Sequence, residues 1–187
     1  MNIILVRHGQ SHGNLSKIWQ GYRPSSLTEK GQKQAQRVAQ YLKKEQIQYI
    51  YASDLQRATQ TAQIIAQEFP NIPFDTNPLL REAYLGELEG QPHSVQPDWE
   101  NNPPAGAETF DILCKRAKIL LEYFYLKHKD DILLLVAHGG INKAIIQTCK
   151  GLDTYDETLE QKNCCVNRIE FNGFDDAKVL SVNEHEF

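Results

Sequence analysis

Ile132-Leu133-Leu134-Leu135-Val136-Ala137-His138-Gly139-Gly140 is the stretch from which the fold of this chain can be read. Its six apolar residues fall far short of the roughly 20 that cross a bilayer, and they suit a central strand buried on both faces. The glycines after His138 open a helical pattern that runs through Cys149. Residues 2–9, Asn-Ile-Ile-Leu-Val-Arg-His-Gly, repeat the design: an apolar run from Asn2 to Val6, then a cation, a histidine and a glycine. Gln48 to Ala52 reads as another strand, ended by Ser53-Asp54-Leu55-Gln56-Arg57.

Between these runs the period becomes helical. Thr28 is placed to cap a helix with Ala35, Val38, Ala39 and Leu42 on one face. Leu55, Ala58, Ala62, Ile65 and Phe69 recur at helical spacing until Pro70 and Pro73. Phe110, Leu113, Ala117, Leu120 and Phe124 mark a helix over Phe110 to Leu126. Val166 to Phe171 and Lys178 to Val182 flank Asn172-Gly173 as a hairpin. Strands alternating with helices predict an α/β fold, a three-layer sandwich whose mostly parallel central sheet is flanked by helices. From Pro78 to Thr109 prolines and glycines break every period, which reads as a small irregular cap insertion over one end of the sheet, with Trp99 a hint of some packing. The expectation is a single domain over residues 1–187 with a cap at about 78–109.

Composition narrows the function. Twenty Lys+Arg against 24 Asp+Glu give a net charge of −4, and no basic stripe of the kind that binds nucleic acid appears. The longest apolar run is too short for a membrane partner. The chain passes from Met1 straight into a strand with no charged leader, so it reads as soluble, unexported and cytoplasmic. Its four cysteines show neither CxxC spacing nor a Cys/His cluster, and Cys164-Cys165 are neighbours that could bridge only with strain. Reduced thiols, no metal and no cofactor are expected.

In parallel-sheet folds ligands sit beyond the carboxyl ends of the strands. That rule gathers Arg7-His8-Gly9, Ser53 to Arg57 and His138-Gly139-Gly140 into one crevice. His12, His93, His128 and His185 lack this placement and are assigned no chemistry, although His93 lies in the insertion. Arg7 and Arg57 offer planar forks for a phosphoryl group, and the Gly139-Gly140 amides at a helix start can face an anion. Cations beside His8 disfavour its protonated form and keep it nucleophilic, provided a backbone carbonyl or similar acceptor fixes its tautomer. These parts suffice for phosphoryl transfer through a phosphohistidine, with fixed cations stabilising the transferring charge. An alkoxide leaves poorly without an acid, and the residues alone leave Glu82, Glu87, Glu89 and Glu108 as candidates.

Leu5-Val6-Arg7-His8-Gly9-Gln10-Ser11 resembles the Arg-His-Gly signature of the histidine phosphatase superfamily, which includes the phosphoglycerate mutases. The resemblance continues in order through Asn14, Gln20-Gly21, Leu27-Thr28 with Gly31, Ser53-Asp54-Leu55-Gln56-Arg57-Ala58 with Thr61-Ala62, Glu82 with Gly86 and Glu89-Gly90, Gly106 with Glu108-Thr109, and Val136-Ala137-His138-Gly139-Gly140. It implies that His8 is the nucleophile, that Arg7, Arg57 and His138 clamp the phosphoryl oxygens, and that Glu82 is the acid and then the base. It further implies Asn14 and the Gly139 amide as donors, and Gln20 and Gly21 as substrate-binding positions. Departures lie in Gly21-Tyr22-Arg23-Pro24-Ser25-Ser26-Leu27, which lacks the family's aspartate, and at Leu88, Ala107 and Lys143. None removes a catalytic group; they bear on loop shape and substrate preference.

The resemblance is to the small phosphatase branch, which includes α-ribazole phosphatase and broad-specificity phosphatases. Only fifteen residues separate Gly90 from Gly106, five follow Val182, and Arg81-Glu82-Ala83-Tyr84 replaces the Arg-His-Tyr-Gly string of mutases. A metal-independent phosphomonoester hydrolase acting on a small phosphorylated metabolite is therefore expected. A 2,3-bisphosphoglycerate-dependent phosphoglycerate mutase is the alternative. A non-catalytic phospho-ligand binding protein is the second, and a binder needs neither a nucleophile nor an acid.

Overall fold

The computed structural model describes residues 1–187. Six strands form one sheet in the order β3-β2-β4-β1-β5-β6: β1 Asn2–Arg7, β2 Tyr49–Ala52, β3 Phe74–Thr76, β4 Ile132–Ala137, β5 Val166–Phe171 and β6 Ala177–Glu184. Neighbouring pairs among β3, β2, β4 and β1 are parallel, and β5 runs antiparallel to both β1 and β6. The α/β class and the mostly parallel sheet follow from this order.

The two central strands alternate their apolar side chains between two cores. Ile3 and Leu5 of β1, with Leu133 and Leu135 of β4, face α4 (Phe110–Lys127) and α5 (Gly139–Cys149) through Leu113, Ala117, Leu120, Ile141 and Ile145. Ile4, Val6, Leu134 and Val136 face α2 (Glu29–Leu42) and α3 (Gln56–Ala66) through Ala35, Val38, Leu42, Ala58 and Ile65. The β1–β4 register pairs Arg7 with Ala137, so the residues that follow each strand, His8 and His138, emerge side by side. Thr28 caps α2 by accepting from the Gly31 amide at 3.1 Å.

Three elements differ from the sequence reading. The edge strand β3 has three exposed residues and no apolar alternation, and it forms because β2 offers an open ladder, Ile50 pairing with Phe74. A short helix α1 (His12–Leu15) follows β1, held by a capping box between Ser11 and Asn14. The hairpin turn is longer than Asn172-Gly173: Gly173, at φ 112°, leads into a 3-10 turn at Phe174–Asp176, and β6 runs on to Glu184.

Residues 78–109 contain two 3-10 turns, Pro78–Leu80 and Gly86–Leu88, and are otherwise irregular. They lie against the loop after β1: Gly90 N–H donates to Trp19 O at 2.7 Å and Trp19 N–H to Gln91 O at 2.8 Å. Trp99 packs this segment only in part, at 39% exposure. Trp19 reaches the segment from the loop after β1, its ring tilted by 55° against His93 at 4.7 Å and its indole N–H donating to Val95 O. The other unassigned histidines are structural or exposed; buried His128 is held between Tyr51 Oη and Asp131.

Candidate active site

His8 is 2% exposed and its backbone is held on both sides. Its N–H donates to Ala137 O at 2.9 Å, and its carbonyl accepts from Asn163 Nδ2 at 3.1 Å and from the Cys164 amide at 3.2 Å. On the ring, Nδ1 lies 2.7 Å from Gly9 O. Only an N–H can meet a carbonyl, so Nδ1 carries the proton and Nε2 keeps its lone pair. Arg57 Nε–H points at that Nε2 from 3.3 Å. Burial, then the charges of Arg57 and Arg7, hold the His8 pKa well below 6.5, and the Gly9 contact opposes them only in part.

Arg57, the second residue of α3, is 1% exposed. Its guanidinium is fixed by the carbonyls of Gly21 at 2.8 Å and Arg23 at 3.3 Å. Gly21 reaches this position at φ 48°, a left-handed turn that disfavours side chains with a Cβ. Burial lowers the Arg57 pKa to about 10, which leaves it charged at neutral pH. Thr61, one turn along α3, joins the two loops: its hydroxyl donates to Arg57 O at 2.7 Å and accepts from the Gly9 amide at 3.0 Å.

His138 is fully buried, its ring centroid 5.1 Å from that of His8, and neither ring nitrogen has a partner. Burial first, then Arg57, His8 and Arg7, hold it neutral. Arg7 donates through Nη1 to Gln161 O, while its enclosed Nε has no partner. Burial lowers the Arg7 pKa and Glu82 opposes that shift. A neutral imidazole carries one N–H, so His138 offers one buried donor and Arg7 Nε–H a second, both without a protein partner and both suited to an anion.

Glu82 enters from the irregular segment. Its Oε1 accepts from the amides of Gly140 at 2.9 Å, Ala83 at 3.0 Å and Ile141 at 3.3 Å, and Oε2 carries no hydrogen bond. This changes the expected use of the α5 N-terminus. The Gly140 amide serves the Glu82 carboxylate, and the Gly139 N–H, first in the helix, is the one left for a ligand. Gly140 is required for this approach, since a Cβ there would stand 2.5 Å from Glu82 Oε1.

Asn14 sits in α1 with Oδ1 shared among Ser11 N–H, Ser11 Oγ and Asn163 Nδ2, which leaves its amide NH2 as the group to offer. Gln20 is turned toward α1: its side-chain amide lies 2.8 Å from Ser11 Oγ, and it fills the space beside Gly13. The structure thus brings Arg7, His8, Arg57, Glu82, His138 and the Gly139 amide together. Gln20 and Gly21 stand one step back, the first bracing α1 and the second holding Arg57. Gln161 and Asn163 had no periodicity or motif to mark them. No group of three His, Cys, Asp or Glu side chains could hold a metal ion.

A family model described as the histidine phosphatase superfamily (branch 1) matches residues 3–185. Phosphoglycerate mutase-like protein 4 of Arabidopsis thaliana is 35% identical over 162 residues, 79% of this chain and 70% of that protein. The probable phosphoglycerate mutase GpmB of Photorhabdus laumondii is 34% identical over 184 residues, 91% of this chain and 85% of that protein. Among solved structures, the alpha-ribazole phosphatase from Shigella flexneri superposes with a TM-score of 0.88 at 23% identity, covering 99% of this chain and 97% of its own, a likeness of fold.

Proposed function

From the premise that the chain belongs to the histidine phosphatase superfamily, branch 1, we propose that it hydrolyses a phosphomonoester of a small metabolite through a phosphohistidine on His8. The observation that carries this reading is the state of His8: Nδ1–H tied to Gly9 O, and an unprotonated Nε2 whose lone pair faces Arg57 Nε–H at 3.3 Å. The Nε2 lone pair attacks phosphorus as the ester P–O bond breaks. Arg7, Arg57, one N–H of neutral His138, the Asn14 amide and the Gly139 N–H take up the charge on the phosphoryl oxygens. Glu82, protonated for this step, gives its proton to the departing alkoxide. Its carboxylate then takes a proton from water attacking the phosphoenzyme; the P–N bond breaks, and neutral His8 and inorganic phosphate result. Fixed cations surround the phosphoryl group, so no metal is invoked.

Hydrolysis is favoured over transfer back to substrate because the segment between Gly90 and Gly106 is only fifteen residues. A mutase has to keep water from its phosphoenzyme, and a short cap covers less of the site. The mutase names of relatives such as GpmB, 34% identical over most of this chain, favour the second reading. One assay separates them. With 3-phosphoglycerate and 2,3-bisphosphoglycerate, release of inorganic phosphate without 2-phosphoglycerate supports the hydrolase, and isomerisation without net phosphate release supports the mutase. Turnover of p-nitrophenyl phosphate in EDTA, absent in His8→Ala, separates both from a binding protein. A reducing cytoplasm is the compartment we assign, because all four cysteines are unpaired and buried.

A further inference from the structure

We propose that Arg116, paired with Glu108, is a positioning residue that sets the acid Glu82 in place. The inference rests on Glu82 acting as the leaving-group acid, and it assigns a role that the three-strand-end constellation does not contain. Arg116 lies on α4, and its five N–H groups all have acceptors. Nε and one Nη2 hydrogen go to the Glu108 carboxylate at 3.1 and 2.8 Å. Nη1 donates to Leu79 O at 2.9 Å and Arg81 O at 2.7 Å, and the second Nη2 hydrogen to Glu82 O at 3.0 Å. Glu108 adds a hold on the far side of Glu82, its Oε2 accepting from the Tyr84 amide and its own N–H meeting Tyr84 O, each at 2.7 Å.

One ion pair therefore grips the backbone at residues 79, 81, 82 and 84, on both sides of Glu82, in a segment whose only regular pieces are 3-10 turns. The pair is largely enclosed, with side-chain exposures of 12% and 18%. The anchor itself is rigid, because Leu113, Ala117 and Leu120 around Arg116 are buried in the core. The Glu82 backbone is thus fixed from α4 while its carboxylate is fixed by the amides of α5. Arg116 spends every one of its donors on this segment, which leaves none to offer a phosphoryl oxygen. It acts through Glu82 and touches no reacting atom.

The test compares kcat/KM for phenyl phosphate, a poor leaving group, with that for p-nitrophenyl phosphate, a good one, in wild type, Arg116→Lys, Glu108→Gln, Glu82→Gln and the Arg116→Lys/Glu82→Gln double variant. A lysine keeps the charge but has three donors and no fork, so carbonyls of the segment lose their partner. The expected result is a fall of about tenfold or more in the phenyl to p-nitrophenyl ratio for Arg116→Lys, the same direction for Glu108→Gln, and no further fall in the double variant beyond Glu82→Gln alone. A purely structural role would lower both substrates equally and leave the ratio at its wild-type value, which overturns the inference. Should Glu82→Gln itself leave the ratio unchanged, the acid assignment fails first, and the positioning role with it. Glu108→Gln serves if Arg116→Lys does not fold, and full additivity in the double variant also overturns the proposal.

Discussion

Replacing His8 by asparagine tests the electrostatics of the site through folding stability. Burial and the Arg57 and Arg7 charges hold His8 well below its ordinary pKa of 6.5, and burial with Arg57, His8 and Arg7 does the same for His138. In the unfolded chain both rings take a proton as the pH falls through about 6.5, while in the native state they stay neutral. The unfolded state then binds more protons, so the stability present above that pH is lost as pH falls toward the native-state pKa values. Each ring that stays neutral while its unfolded counterpart takes a proton lowers the unfolding free energy by about 1.4 kcal/mol for every pH unit below about 6.5, and two such rings by about twice that. Asparagine places its amide nitrogen where Nδ1 stood, so it can still donate to Gly9 O while removing one titrating group. Urea unfolding in phosphate-free buffer reads the result. At a slope of roughly 2 kcal/mol/M, each ring moves the midpoint down by about 0.7 M per pH unit below about 6.5, so the His8→Asn midpoint falls about half as far as the wild-type one. Equal pH dependence in the two proteins would refute the claim that His8 is held neutral by its surroundings.

Two other substitutions probe separate contacts. Gly140→Ala places a Cβ 2.5 Å from Glu82 Oε1; turnover of phenyl phosphate should fall by about tenfold or more, with the melting temperature within a few degrees of wild type, and unchanged kinetics would show that the carboxylate does not need this approach. Arg57→Lys removes the fork that reaches Gly21 O, Arg23 O and His8 Nε2; kcat/KM should fall about 10²-fold even for p-nitrophenyl phosphate, and a loss smaller than about threefold would mean that the Arg57 guanidinium does not stabilise the transferring group.

Much of the fold was legible because β1 and β4 are apolar on both faces, and Ile3, Ile4, Leu5 and Val6 have no other economical placement. The ends of those strands place Arg7, His8 and His138 together from the sequence pattern alone, and the parallel register makes them neighbours. β3 carried no such signal, since three exposed residues pair only because β2 leaves an edge open. Trp99 marked some packing in the irregular segment, and Trp19 adds a second indole from across its boundary that no local pattern signalled. Glu82 could not be told from its neighbouring glutamates, because its selection depends on reaching amides 58 and 59 positions away. The sites for Gln161 and Asn163 likewise arise from chain closure, which leaves no local pattern. Arg116 did leave one: it falls three residues from Leu113 and beside Ala117, a charge bordering the apolar stripe of α4.

The central claim is that His8 Nε2 becomes covalently phosphorylated, and trapping that species tests it most directly. Enzyme mixed with phosphorus-32-labelled ester and quenched within one turnover should carry label that survives alkali, is lost in mild acid, and is absent from His8→Asn. Label with the opposite lability, or label retained in His8→Asn, would contradict the account.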